Sequence, residues 1–120
     1  MVIGQNKIQG AWVFSPKGNL NRVSAGELEN HVREALEEQD PRVVIDMSEM
    51  DSISSAGLRV LFMVTKKVKQ PFHFVIVQPN ELVLEIFEVT GFESLLNVEQ
   101  TIGAALDTVL KPTSEGGNDQ

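Results

Sequence analysis

The stretch VVIDMSEMDSISSAGLRVLF, Val43 to Phe62, decides how this chain is built. Val43-Val44-Ile45 is a continuous apolar run, as expected of a strand covered on both faces. Asp46 ends the run, and a polar loop over 48–53 follows. Ser54, Ser55, Ala56 and Gly57 then open a second apolar segment with helical spacing. The expectation is a strand over 42–47 handing over to a helix over 55–69. Leu58, Leu61, Phe62 and Val68 give that helix a core stripe, and Val60, Met63 and Val64 fall off it.

Upstream, Val2 to Phe14 mixes Trp, Val and Phe with Gly4 and Gly10, which predicts two short strands near 2–6 and 8–14. Ser15-Pro16-Lys17-Gly18 is a turn, with a small extended return at Leu20. Ser24 followed by Glu27 has capping-box spacing and predicts the start of a helix. Its apolar stripe is Ala25, Leu28, Val32, Ala35 and Leu36, and Asp40-Pro41 ends it.

Downstream, Phe72 to Val77 is a second buried strand. Pro79-Asn80 starts a helix over 81–89 with Leu82, Ile86 and Phe87 inward and Gly91 as its stop. Leu95 to Val98 reads as a short edge strand. Thr101 reads as the cap of a last helix over 102–110. The expected architecture is α/β, with helices packed on a mixed sheet. One domain over 1–110 is expected, followed by a disordered polar tail over 111–120.

A chain of 120 residues with 42% hydrophobic and 22% charged content is ordinary for a soluble domain. The net charge of -7 argues against nucleic acid and anionic membrane surfaces, and suits a partner with a basic patch. There is no cysteine, which removes disulfides and thiolate chemistry and fits a cytoplasmic setting. The opening MVIGQNKIQG lacks a basic region followed by an apolar stretch, so no signal peptide is expected. The longest apolar run, Val60 to Val64, is far short of the roughly 20 residues that span a bilayer.

Catalytic patterns are missing. His31 and His73 have no neighbouring metal ligands in sequence, and neither a Walker loop nor G-x-G-x-x-G occurs. Ile53 stands where a nucleophile elbow needs Gly. Asp46 sits where phosphate-receiver domains carry their acceptor, but the first strands end in Phe14-Ser15-Pro16, without the acids such a site needs. Asp46 therefore reads as a loop carboxylate accepting backbone N–H groups. No enzyme, cofactor or metal is expected.

The two serines remain. A helix needs one cap, and Ser54 suffices. Ser55 would then be the first helical residue, with a hydroxyl free to accept phosphate. The helix N-terminus tolerates the new charge of about −2. Asp46, Glu49 and Asp51 would make the modified loop strongly anionic and repel a docked partner.

With these residues in view, Val43 to Leu61 resembles the signature of STAS domains, in particular the bacterial anti-sigma factor antagonists. Ile53-Ser54-Ser55-Ala56-Gly57-Leu58 is similar to their loop-to-helix motif. Gly18-Asn19-Leu20-Asn21, Phe74-Val75-Ile76-Val77 with Pro79, and Val89-Thr90-Gly91-Phe92 resemble further stretches. The resemblance implies a mixed sheet of four to five strands flanked by about four helices. It also implies partner switching. The unphosphorylated antagonist binds an anti-sigma factor serine kinase of the histidine-kinase-like ATPase fold, phosphorylation of a motif serine releases it, and a serine phosphatase resets it. Where the acceptor directly precedes Gly in some members, this chain has Ala56, so the site maps to Ser55, with Ser54 second. Asn21 replaces the frequent Asp of the first motif. Asp46, Asp51, Ser54, Ala56 and Gly57 would line the site, and Val60, Met63 and Val64 would form an exposed partner patch. The alternative is a STAS subunit of a lipid-transport complex or of another kinase pathway.

Overall fold

The computed structural model describes residues 3–113. The hairpin comes first: β1 (Ile3–Ile8) and β2 (Ala11–Pro16) pair antiparallel. Its turn lies at Gln9-Gly10, later than the expected break, because these two residues take the positive φ values, 54° and 94°, that a tight hairpin needs. There follow β3 (Gly18–Leu20), α1 (Arg22–Leu36), β4 (Val43–Asp46), β5 (Met50–Ile53) and α2 (Ser55–Lys67). The chain continues with β6 (Phe74–Val77), α3 (Glu81–Thr90), β7 (Asn97–Glu99) and α4 (Ile102–Val109). Turns of 3-10 helix occupy Pro71–His73, where a strand was expected to begin, and Phe92–Ser94.

The main sheet has the order β1-β2-β4-β6-β7. All its pairs are parallel except β1 with β2, so it is mixed, as expected. The register of β4 on β6, Val43 opposite Phe74 through Asp46 opposite Val77, sends alternate residues to opposite faces. Phe14, Val43, Ile45, Phe74 and Ile76 join the core under α1, α2 and α3. Val13, Val44, Val75 and Val77 join a smaller core with Ala105 and Val109 of α4. The unbroken apolar runs therefore have cover on both faces.

A second, two-stranded sheet pairs β3 with β5 in parallel. The segment 48–53 was expected to be a loop throughout. Its last four residues are extended because β3 offers an edge: the Gly18 N–H donates to the Glu49 carbonyl at 2.9 Å, and the Ser54 N–H to Leu20 at 2.9 Å.

Three helices differ from expectation. The cap of α1 is Asn21, not Ser24. The Asn21 side chain accepts from the N–H groups of Val23 and Ser24, and Ser24 Oγ accepts the Asn21 N–H at 2.8 Å. This is a capping box set three residues earlier than the Ser24–Glu27 pair. In α2 the buried residues are Gly57, Val60, Leu61 and Val64, while Phe62 is 41% exposed. In α3 Val83 and Phe87 are buried, whereas Leu82 is 50% exposed. Both helices are apolar around much of their circumference, so spacing alone does not fix which stripe turns inward.

The C-terminal end of α4 is tied to the body. Arg42 donates to the carbonyls of Val109 at 3.1 Å and Lys111 at 2.6 Å, and to Asp40 Oδ2 at 2.8 Å. Thr113 Oγ1 donates to the same Asp40 oxygen at 3.3 Å. Lys111 and Thr113 are thus held on the domain, and residues 114–120, where the rest of the expected tail falls, lie outside the described residues.

His73 is fully buried in this cluster. Its Nε2–H is placed to donate to the Lys111 carbonyl at 3.2 Å, and its Nδ1 faces Asp40 Oδ1 at 3.5 Å without a hydrogen bond. Burial, and then the Arg42 guanidinium, hold its pKa below the usual histidine range, against smaller opposing effects of Lys111 and Asp40. The unfolded chain takes up that proton near pH 6.5 and the folded chain resists it, so stability falls as pH drops below about 6.5. Asp40 is held low chiefly by its hydrogen bond from Arg42, and Glu38 by those from Lys7 and Trp12. Their contributions are lost at lower pH still, as pH falls through the carboxylate range. The urea midpoint should therefore be lower at pH 5.5 than at pH 7.5, and the drop should shrink in His73→Gln. A midpoint independent of pH over that interval contradicts this assignment.

Candidate functional site

The site is built where the main sheet passes the chain to the small one. Asp46 ends β4, and its Oδ1 accepts the Ser48 N–H at 3.0 Å, the local backbone role expected of it. Met47 and Met50 are buried and pin the bend, with the Met47 N–H donating to the Val77 carbonyl at 2.8 Å. Between them the chain exposes Ser48 and Glu49, and Asp51 is exposed beyond. Glu49 faces Lys17 at 3.5 Å.

β5 is fixed from two sides. On the β3 side, Ser52 Oγ donates to Asn19 Oδ1 at 2.8 Å. On the α3 side, Asn80 Nδ2 donates to the carbonyls of Met50 at 3.1 Å and Asp51 at 3.0 Å. The Oδ1 of the same Asn80 caps α3 by accepting the Val83 N–H at 2.8 Å. The residue types flagged Asn80 as a helix start. Its second role, across 30 residues of sequence to Met50, had no local signal.

Ser54 and Ser55 have opposite surroundings. Ser54 is the N-cap of α2, with extended backbone at φ -96° and ψ 173°. Its Oγ accepts the Gly57 N–H at 3.3 Å and donates to the Leu20 carbonyl at 2.9 Å. Ser55 is the first helical residue and is exposed, and its hydroxyl has no hydrogen-bond partner among the described residues. Ala56 is half-buried against the main core. Gly57 is buried with no room to spare: a Cβ there would lie 2.7 Å from Ile53 Cγ1 and 2.9 Å from Leu20 Cδ2.

That contact sets the rotation of α2 and corrects the expected partner patch. Val60 and Val64 are 3% and 0% exposed, and Met63 is half-buried against the core, so these residues are packing groups. Ser55, Arg59, Phe62 and Lys66 are exposed instead and share one outer stripe of the helix. Exposed apolar side chains also stand on α3, where Leu82 is 50% and Val89 79% exposed beside Ile86. Among the described residues no group of three or more His, Asp or Glu is placed to hold a metal ion. No described helix is long and apolar enough to cross a membrane.

The mixed sheet with its flanking helices is a fold shared with known proteins. A family model of STAS domains matches residues 4–105, and the chain belongs to the STAS domain family. It is 33% identical over 114 residues to the candidate anti-sigma factor antagonist BtrV of Bordetella bronchiseptica, covering 92% of this chain and 98% of that one. The fold matches an anti-sigma factor antagonist from Mycobacterium paratuberculosis with TM-score 0.81 at 24% identity, covering 92% of this chain and 94% of that one. It also matches the anti-sigma factor antagonist SpoIIAA in its unphosphorylated form, with TM-score 0.76 at 13% identity over 90% of this chain and 96% of that one. The Bacillus SpoIIAA has been solved in a phosphorylated form as well, and matches with TM-score 0.69 at 12% identity over 90% of this chain and 99% of that one.

Two stability contrasts follow from this geometry. Ser54→Ala loses a cap and a tie to β3 and should cost about 1–2 kcal/mol, whereas Ser55→Ala should stay within about 0.5 kcal/mol of the parent. Urea unfolding of the two variants checks this, and equal losses would contradict the division of roles. Gly57→Ala should cost about 1–3 kcal/mol by overpacking Leu20 and Ile53. An unchanged midpoint would mean that the contact is looser than described.

Proposed function

We propose that this chain is an anti-sigma factor antagonist, a binding module switched by phosphorylation of Ser55. Family membership and the names of its relatives support the class. The observation that carries the site is the unequal pair: Ser54 spends its hydroxyl on Gly57 and Leu20, and Ser55 leaves its own in solvent.

In its unmodified form the protein binds a serine kinase of the histidine-kinase-like ATPase fold that also holds a sigma factor. The 48–55 segment and the exposed side of α3 form the docking surface, with Leu82 and Val89 as apolar contacts. Asp51 and Glu49 on that segment, and Glu81 and Glu85 on α3, favour a basic partner face. The kinase transfers the γ-phosphoryl of ATP to Ser55 Oγ. An O–P ester forms, the anhydride to ADP breaks, and the hydroxyl proton passes to a base on the kinase. The product carries about −2 more charge on an already acidic loop, while the N-terminal amides of α2 stabilise it in place. The partner is repelled and the domain stays folded. A serine phosphatase hydrolyses the ester and resets the module.

Incubation with the cognate kinase and ATP should add one phosphate to the intact mass. Ser55→Ala should abolish the increment, and folded Ser54→Ala should retain most of it. Ser55→Asp should weaken kinase binding by more than about 1 kcal/mol, the scale of one charge-assisted contact. Labelling of Ser55→Ala at the parental level would refute the site, and unchanged affinity of Ser55→Asp would refute the electrostatic release.

A further inference from the structure

A second feature lies at the other end of α2, on the same outer stripe as Ser55. Between the last turns of α2, the Pro71 turn and the segment after α3, the surface encloses a concavity of about 310 Å³. Its apolar lining comes from Phe62, Val68, Pro71 and Leu95, and its polar lining from Thr65, Ser94 and the two lysines Lys66 and Lys69. Phe62 and Leu95 remain 41% and 47% exposed there, large apolar surfaces that the core does not use. The Phe92 ring, itself packed against the core, lies 6.3 Å from the Phe62 ring centre to centre and braces that wall.

The charges point to an occupant. The chain carries a net charge of -7, yet Lys66 and Lys69 form no ion pair with any described residue. The Lys66 ammonium instead lies 5.1 Å from the centroid of the Phe62 ring. Lysines at the C-terminal end of a helix do offset its dipole. That explains Lys66 but not Lys69, which lies beyond the end of α2, nor the uncovered apolar floor. The volume is at the small end of ligand sites, which suits a small molecule better than a folded partner. The open groove of Leu82, Ile86 and Val89 on α3 provides a contrast, because Glu85 borders it and would repel an anion.

We propose that this concavity binds a small amphipathic carboxylate. Its aromatic or short alkyl body rests on Phe62, Val68, Pro71 and Leu95, and its anionic head is held by Lys66 and Lys69. The site is independent of the phosphorylation reading, since none of its lining residues belongs to the 48–55 segment.

The test is a titration of the ¹⁵N-labelled full chain with 4-phenylbutyrate, followed by amide chemical shifts, with 4-phenylbutanamide as the uncharged control. The expected result is saturable binding in about the millimolar range for a ligand of this size, with shifts centred on Phe62, Lys66, Lys69 and Leu95. The amide should bind about tenfold more weakly or less. The double variant Lys66→Gln, Lys69→Gln changes only exposed side chains. It should lose about tenfold in phenylbutyrate affinity and leave amide binding unchanged. Absence of saturation up to about 20 mM would overturn the proposal. So would equal affinity for acid and amide, or shifts centred on Leu82 and Val89.

Discussion

The contact of Gly57 with Leu20 and Ile53 governs the rest of this structure. A side chain at Gly57 would meet both residues inside normal contact distance. The helix therefore approaches the β3–β5 pair as closely as backbone allows, and its rotation is set there. Val60, Leu61 and Val64 turn inward as a consequence, and Ser55, Arg59, Phe62 and Lys66 turn to solvent. The same approach brings Ser54 within reach of the Leu20 carbonyl, which takes both its N–H and its hydroxyl. One serine is thereby fastened and its neighbour left free by a single packing choice.

Much of the fold was legible because its signals are local or strongly periodic. Val43-Val44-Ile45 and Phe74–Val77 are continuous apolar runs, and both proved to be strands covered on two faces. Asn80, Gly91 and Thr101 mark helix ends by their own chemistry, Gly91 through a φ of 79°. What was not legible depends on distant residues. β5 is extended because β3 lies alongside it, and nothing within 48–53 announces that partner. The inward faces of α2 and α3 agree with the spacing at Leu61 and Phe87 and depart from it at Phe62 and Leu82, for a related reason. Both helices offer more than one apolar stripe, and the choice is made by Gly57 on Leu20 and by Asn80 on β5. At α1 two competent caps stood three residues apart, and the nearer fit to β3 belonged to Asn21.

At the site, the roles of Ser54 and Asp46 followed from their residue types and positions, since capping and local carboxylate turns need only near neighbours. The partner patch did not follow, because exposure is a tertiary property. Val60 and Val64 are packing residues, and the large apolar side chains left in solvent among the described residues are Val23 on α1, Phe62 on α2, Leu82, Leu84 and Val89 on α3, and Leu95. The outer stripe of α2 thus carries a free hydroxyl at Ser55 and, about 16 Å away at 1.5 Å per residue, Lys66 beside the concavity.

The proposed switch depends on Ser55 being the free hydroxyl and Ser54 the structural one. The most direct test of that proposal is fragment-ion mass spectrometry of the unmutated chain after reaction with the proposed kinase. Phosphate is expected on Ser55, with Ser54 unmodified. Phosphate on Ser54, which would require breaking its bonds to Leu20 and Gly57, would contradict it.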